Sequence, residues 1–134
     1  MANAIYPKAK EQFLQGAINL STATVRVALV DLGSYTYSAA HQFWSSVSAA
    51  AIGTPQPLLN KTFTNGVFDA DDVTVPSVTG ATAEAIVIYV DTGTAATSPL
   101  ILFQDTGVTG LPVTPNGANI ALGFDNGSNR IFAL

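Results

Sequence analysis

From Ser21 onward the apolar residues recur at every second position in short runs, and glycine, proline or an Asn-Gly pair cuts each run off. A period of two belongs to a strand, whose successive side chains point to opposite faces, whereas a helix repeats every 3.6 residues. Many such runs with regular turn signals indicate a β-sandwich or barrel. The first run covers residues 22–31. Val25, Val27 and Leu29 share one face, while Ala28 and Val30 make the other nearly apolar, so this strand is expected to be covered on both sides. Gly33 and Ser34 then break it. Strand signals return at 58–64, which ends at the tight-turn pair Asn65-Gly66, and at 67–68 and 73–75. They return again at 83–91 and 100–105, which read as an antiparallel pair, and at 119–124 and 130–134, separated by a turn at Asp125-Asn126-Gly127-Ser128.

Two segments keep helical spacing instead. Residues 1–17 read as a short arm followed by a helix: Pro7 suits a first turn, where its missing N–H would be unpaired anyway, and Ala9, Phe13 and Leu14 follow up to a stop at Gly16. Ile5, Tyr6 and Pro7 either dock on a neighbour or pack as a lead-in on the chain's own core. Residues 38–47 read as a second helix capped by Ser38, with Ala40, Phe43, Trp44 and Val47 as its buried stripe. The stretch after it, with Gly53, Pro55 and Pro57, reads as a flexible loop. The fold class predicted is mainly β: one antiparallel β-sandwich or jelly-roll-like domain over residues 1–134, with one or two short helices.

Composition narrows the function. Five Lys or Arg and nine Asp or Glu make 10% of the chain charged, against 48% hydrophobic, where a soluble domain is typically about 25% charged. A surface so poor in charge suits a chain that works packed against other proteins. The net charge of −4 and the scattering of Lys8, Lys10, Arg26, Lys61 and Arg130 disfavour nucleic acid, which needs clustered cations. With no cysteine there is no disulfide frame, zinc knuckle or thiol nucleophile. The N-terminus lacks the order of a signal peptide, and no run approaches the roughly 20 apolar residues of a membrane span. The chain is expected to be soluble, unprocessed and made in a cytoplasm.

Chemistry-bearing residues are sparse. His41 is the only histidine and no Gly-x-Ser-x-Gly elbow accompanies it, so it reads as a packing or hydrogen-bonding residue. Asp69, Asp71 and Asp72 supply oxygen ligands at a spacing unlike an EF-hand loop, and a solvated turn or bulge is the favoured reading. No glycine-rich phosphate loop occurs. The Asn19, Asn60 and Asn126 glycosylation tripeptides read as accidental without a secretory signal. Tyr35, Tyr37 and Trp44 are the best candidates for sugar stacking, with core or loop packing as the competing account. No cofactor, metal site or enzymatic activity is expected.

Ordered blocks along the whole chain carry a family likeness: Met1-Ala2-Asn3-Ala4-Ile5-Tyr6-Pro7-Lys8, then Val25-Arg26-Val27-Ala28-Leu29-Val30-Asp31 and Tyr35-Thr36-Tyr37-Ser38-Ala39-Ala40-His41-Gln42-Phe43. Lys61-Thr62-Phe63-Thr64-Asn65-Gly66-Val67-Phe68-Asp69-Ala70-Asp71-Asp72, Glu84-Ala85-Ile86-Val87-Ile88-Tyr89 and Leu111-Pro112-Val113-Thr114-Pro115-Asn116-Gly117 continue it, and Asp125-Asn126-Gly127 closes it. Together they resemble a family of small virion proteins of tailed double-stranded DNA bacteriophages. The resemblance implies a late structural gene product without an enzymatic site, and leaves head decoration and tail attachment both open. The expected role is a decoration (cement) protein on the outer capsid surface, binding the major capsid protein and copies of itself, for instance as a homotrimer. The alternative is a tail or fibre component that binds a host receptor. Contact residues expected on this reading are Ile5, Tyr6, Pro7, Leu111, Pro112, Phe132 and Leu134, and strand edges could pair with a neighbour's strand.

Overall fold

In this computed structural model, which describes residues 3–124 and 131–133, the strongest strand signals become the middle of a five-stranded antiparallel sheet. Strand β1 is Ala4–Ile5, β2 Val25–Val30, β3 Ala51–Pro57, β6 Ala85–Val90 and β7 Leu100–Gln104, in the order β1-β7-β6-β2-β3. Two small antiparallel pairs complete the β structure. Strand β4 (Val67–Phe68) pairs with β9 (Phe132–Ala133), and β5 (Val73–Val75) with β8 (Ile120–Leu122). The fold is mainly β and sandwich-like, as predicted.

The register explains why β2, β6 and β7 read as continuous apolar runs. Val27 pairs with Ile88 and Ile88 with Leu102, so these three share one face, while Ala28, Val87 and Phe103 share the other. Every residue of β6 and β7 is buried, and only Arg26 of β2 is not. Such strands cannot alternate polar and apolar, because neither face meets water. On the Phe103 face the cover is aromatic. Tyr37 and Tyr35 lie 5.4 and 6.3 Å from the Phe103 ring, and Trp44 stacks on Tyr89 at 4.1 Å and 6°. Val73, Val75, Ile120, Leu122, Phe68 and Phe132 of the small pairs belong to the same hydrophobic cluster as the large sheet.

The Asn65-Gly66 hairpin forms as predicted. Asn65 (φ 56°) and Gly66 (φ 76°) both take left-handed conformations, the Val67 N–H bonds the Thr64 carbonyl, and Thr62 and Asp69 exchange two backbone hydrogen bonds behind the turn. The first helix also forms. Helix α1 is Pro7–Leu14, with proline in its first turn, and the Gly16 and Ala17 N–H groups close it by bonding the Phe13 and Gln12 carbonyls, a Schellman motif. Its buried stripe is narrower than predicted: Ala9 is buried and Phe13 half-buried, but Leu14 is 91% exposed.

Three predictions fail in whole or in part. Residues 38–47 do not form an α-helix: Ser38 accepts from the Ala40 N–H in a local turn, and only short 3-10 turns at Trp44–Ser46 and Ser48–Ala50 follow. The apolar residues there face the core one at a time; Trp44 and Val47 are buried while Ala40 is exposed. The flexible loop predicted around Gly53, Pro55 and Pro57 is instead β3. Proline cannot donate to a ladder, so it disqualifies a central strand but not an edge strand, and β3 is an edge. Between Val27↔Gln56 and Leu29↔Ile52 the register slips, and the extra residues 53–55 form a bulge that takes up Gly53 and Pro55. The predicted strand at 58–64 is reduced to the Thr62↔Asp69 bridge. The predicted turn at Asp125-Asn126-Gly127-Ser128 lies outside the described residues, as do Arg130 and Leu134; β9 begins at Phe132.

Candidate functional site

Most of the few basic side chains among the described residues are paired within the chain. The Arg26 Nε donates to Asp91 Oδ2 at 2.6 Å, and both side chains are about 30% exposed. The backbone N–H of Gly93 (2.8 Å) and then the guanidinium hold the Asp91 carboxyl below its ordinary range. The Lys61 ammonium turns inward and donates to the carbonyls of Leu20 and Ala23 at 2.7 and 2.6 Å, pinning the loop that enters β2. Lys8 pairs with Glu11 one turn along α1 at 3.1 Å. Three of the four described basic residues are therefore engaged within the chain.

Of the contact residues predicted from sequence, Pro7 and Pro112 are exposed and Ile5 and Leu111 half-buried. Two are corrected. Tyr6 has no exposure, since its ring packs 5.2 Å from Tyr37 and its hydroxyl bonds Tyr35; the lead-in reading of the arm holds for this side chain. Phe132 is 7% exposed, because pairing with β4 places its ring 5.2 Å from Phe68. Leu134 lies outside the described residues.

Among the described residues the exposed large apolar side chains are others: Leu14, Leu59 (60% exposed) and Phe63 (40%). Phe63 is the outer member of an aromatic row, 5.6 Å from Phe68, which in turn touches Phe132. Two apolar depressions meet around Leu20 and Phe63, one bounded by Phe13 and Ile18, the other by Val67 and Phe132. The signal for Phe63 is present in the sequence. It stands two residues before Asn65-Gly66, near the tip of a hairpin, where a side chain has few neighbours to cover it.

The groups singled out for chemistry are tied into the fold. The Tyr6 and Tyr35 hydroxyls lie 2.7 Å apart, and the Tyr35 hydroxyl lies 2.9 Å from Nδ1 of His41. The histidine is thus bonded to a phenol anchored in the core. Trp44, Tyr35 and Tyr37 form no open stacking groove, since the first two are buried and Tyr37 is half-buried against Tyr6 and Phe103. Asp71 Oδ2 accepts from the Asn60 amide, Asp72 Oδ1 accepts from the Phe124 N–H at 3.2 Å, and the Asp69 backbone pairs with Thr62. Among the described residues no group of three or more His, Cys, Asp or Glu is arranged to hold a metal ion. No helix among them is long and apolar enough to cross a membrane.

Burial pushes the Tyr6 phenol well above the ordinary tyrosine range, with Tyr35 beside it adding to the shift. Unfolded tyrosine ionises near pH 10, so above that the folded chain holds a proton that the unfolded chain has released. Stability is therefore full below about pH 10 and falls as pH rises, by about 1.4 kcal/mol per pH unit for this group. Denaturant midpoints followed by the fluorescence of Trp44, the only tryptophan, should show this decline, and Tyr6→Phe should reduce its slope.

Fold and surface together define a small antiparallel β structure whose distinctive features are sparse charge and an aromatic row that comes to the surface at Phe63. No family model and no curated protein matches the chain.

Proposed function

We propose that the chain is a structural component of a tailed-phage virion, a decoration protein that lies on the outer capsid surface and reinforces contacts between major capsid subunits. The observation that carries this reading is the surface itself. Most described basic side chains are engaged internally, while Leu14, Leu59 and Phe63 stand in solvent. A subunit packed among others would bury such side chains. The likeness of the chain-long sequence blocks to small virion proteins supplies the setting. The mechanism is additive: each copy buries a modest apolar area, and many contacts repeated over a shell hold where one would not. His41 bonded to a phenol and aspartates bonded to amides fit a scaffold role.

The test is the position and number of copies in an intact particle, by labelling and quantitative mass spectrometry. Many copies spread over the head are expected, together with lower resistance to heat and osmotic shock in particles that lack the protein. A handful of copies at the tail tip would overturn the decoration role in favour of receptor binding.

A further inference from the structure

Lys61 forms no ion pair among the described residues. Its ammonium points inward to the main-chain oxygens of Leu20 and Ala23, at 2.7 and 2.6 Å. The two sides of this contact differ in how firmly they are held. Lys61 lies between braced neighbours: the Asn60 amide donates to Asp71 and the Asp71 N–H to the Leu59 carbonyl, while Thr62 and Asp69 exchange two backbone hydrogen bonds. The connector from α1 to β2, residues 15–23, has no such bracing. The N–H groups of Gln15, Gly16 and Ala17 bond back to Glu11, Phe13 and Gln12, and Asn19 gathers those of Ser21, Thr22 and Ala23 on its own backbone and side-chain oxygens. Among the described residues, the two bonds from Lys61 are the connector's only hydrogen bonds to the rest of the fold.

We infer that Lys61 is the clasp of a strap: its ammonium seats residues 17–23 against the hairpin, and without it the strap lifts and carries Leu20 off the aromatic row. Leu20 is the side chain the clasp keeps in place. It is 9% exposed and lines both apolar depressions, one with Phe13, Ile18 and Phe63, the other with Phe68 and Phe132. The other residues of the strap are exposed or half-buried. Apolar packing therefore holds the strap at one side chain, and hydrogen bonding holds it at one ammonium, whose charge strengthens both bonds to the neutral carbonyls. A segment with so few buried contacts and no ladder opens by itself, ahead of the sheet. The limits of the movement are set by the structure on either side. At one end the strap begins where the helix closes at Gly16 and Ala17, and at the other the Asp91 N–H bonds the Thr24 carbonyl at 2.8 Å, just before β2.

Limited proteolysis of the whole chain with chymotrypsin, which cuts after large apolar residues once a segment opens, tests it. Fragments 1–20 and 21–134, read by mass spectrometry, report cleavage after Leu20, and where opening is fast the rate follows the open population. Lys61→Met keeps the apolar stem and removes the ammonium. Its cleavage after Leu20 should be roughly tenfold faster than wild type, while amide-exchange protection of Val87 and Ile88 in β6 stays unchanged. Lys61→Arg, which still donates, should remain near the wild-type rate. Lys61→Ala leaves room for the rest of the side chain, so added propylammonium, which restores it, should slow cleavage. Tetramethylammonium, equally charged but without an N–H, should not. A wild-type rate in Lys61→Met would overturn the clasp, and so would β6 protection lost along with it, which marks general unfolding. Equal rates for Lys61→Arg and Lys61→Met, or equal effects of the two added cations, would overturn it as well. The proposed virion role is untouched by either result, since the experiment reads the isolated chain.

Discussion

Truncating Phe103 to alanine is expected to destabilise the protein by about 3–5 kcal/mol, the largest effect of any single side chain considered. The ring is completely buried at the centre of β7, on the face it shares with Val87, and it supports both Tyr37 and Tyr35. Its removal leaves a cavity under a layer of rings that are themselves tied together, through Tyr35 to His41 and Tyr6, and rigid aromatics collapse poorly into a void. Against a total of about 5–15 kcal/mol for a domain, the loss should lower the melting temperature by roughly 10–20 °C. Leu14→Ala supplies the contrast. That side chain is 91% exposed at the end of α1, so its truncation should change stability by no more than about 0.5 kcal/mol. Thermal melts followed by Trp44 fluorescence check both, and equal effects would refute the assignment of the core.

Gly110→Ala is expected to cost about 2–4 kcal/mol, although it only adds a methyl group to an exposed loop. Two effects combine. The residue sits at φ 104°, where L side chains are strained, and a Cβ there would run into the carbonyl oxygen of Ala121 in β8. Next to it, Thr109 and Gly123 exchange backbone hydrogen bonds of 2.8 and 3.0 Å, so the loop cannot back away without breaking them. Gly80→Ala separates the two effects. Gly80 has φ 120° but nothing within 4 Å of the added carbon, so it carries the conformational cost alone, about 1 kcal/mol. Denaturant midpoints of the two variants should differ accordingly; identical values would show that the contact with Ala121 does not matter.

The legible parts of this fold are those where local pattern and tertiary position agree. β2, β6 and β7 are runs of β-branched and aliphatic residues, and burial on both faces is what such runs require. The Asn65-Gly66 turn was equally plain, because the residue types specify the backbone directly. β3 was hidden, since Gly53, Pro55 and Pro57 are strand breakers anywhere except at a bulged edge, and sheet order is not a local property. Residues 38–47 misled for the opposite reason: Phe43, Trp44 and Val47 have helical spacing, yet Trp44 is held by stacking on Tyr89, 45 residues away in the chain (89 − 44). The surface was read correctly as short of charge, but not which side chains stand out of it. Tyr6 and Phe132 are taken inward by partners at Tyr35 and Phe68 that no spacing rule pairs with them.

The five-stranded sheet has blunt ends. One is β3, kinked by its bulge and carrying Pro55 and Pro57, and the other is β1, two residues long, with Pro7 one residue beyond it. A backbone of that kind is a poor template for another strand. Copies brought to high local density are thereby discouraged from zipping edge to edge into open-ended fibres. For a protein with so little charge to keep its copies apart, the prolines at the rim act as its guard against amyloid-like growth.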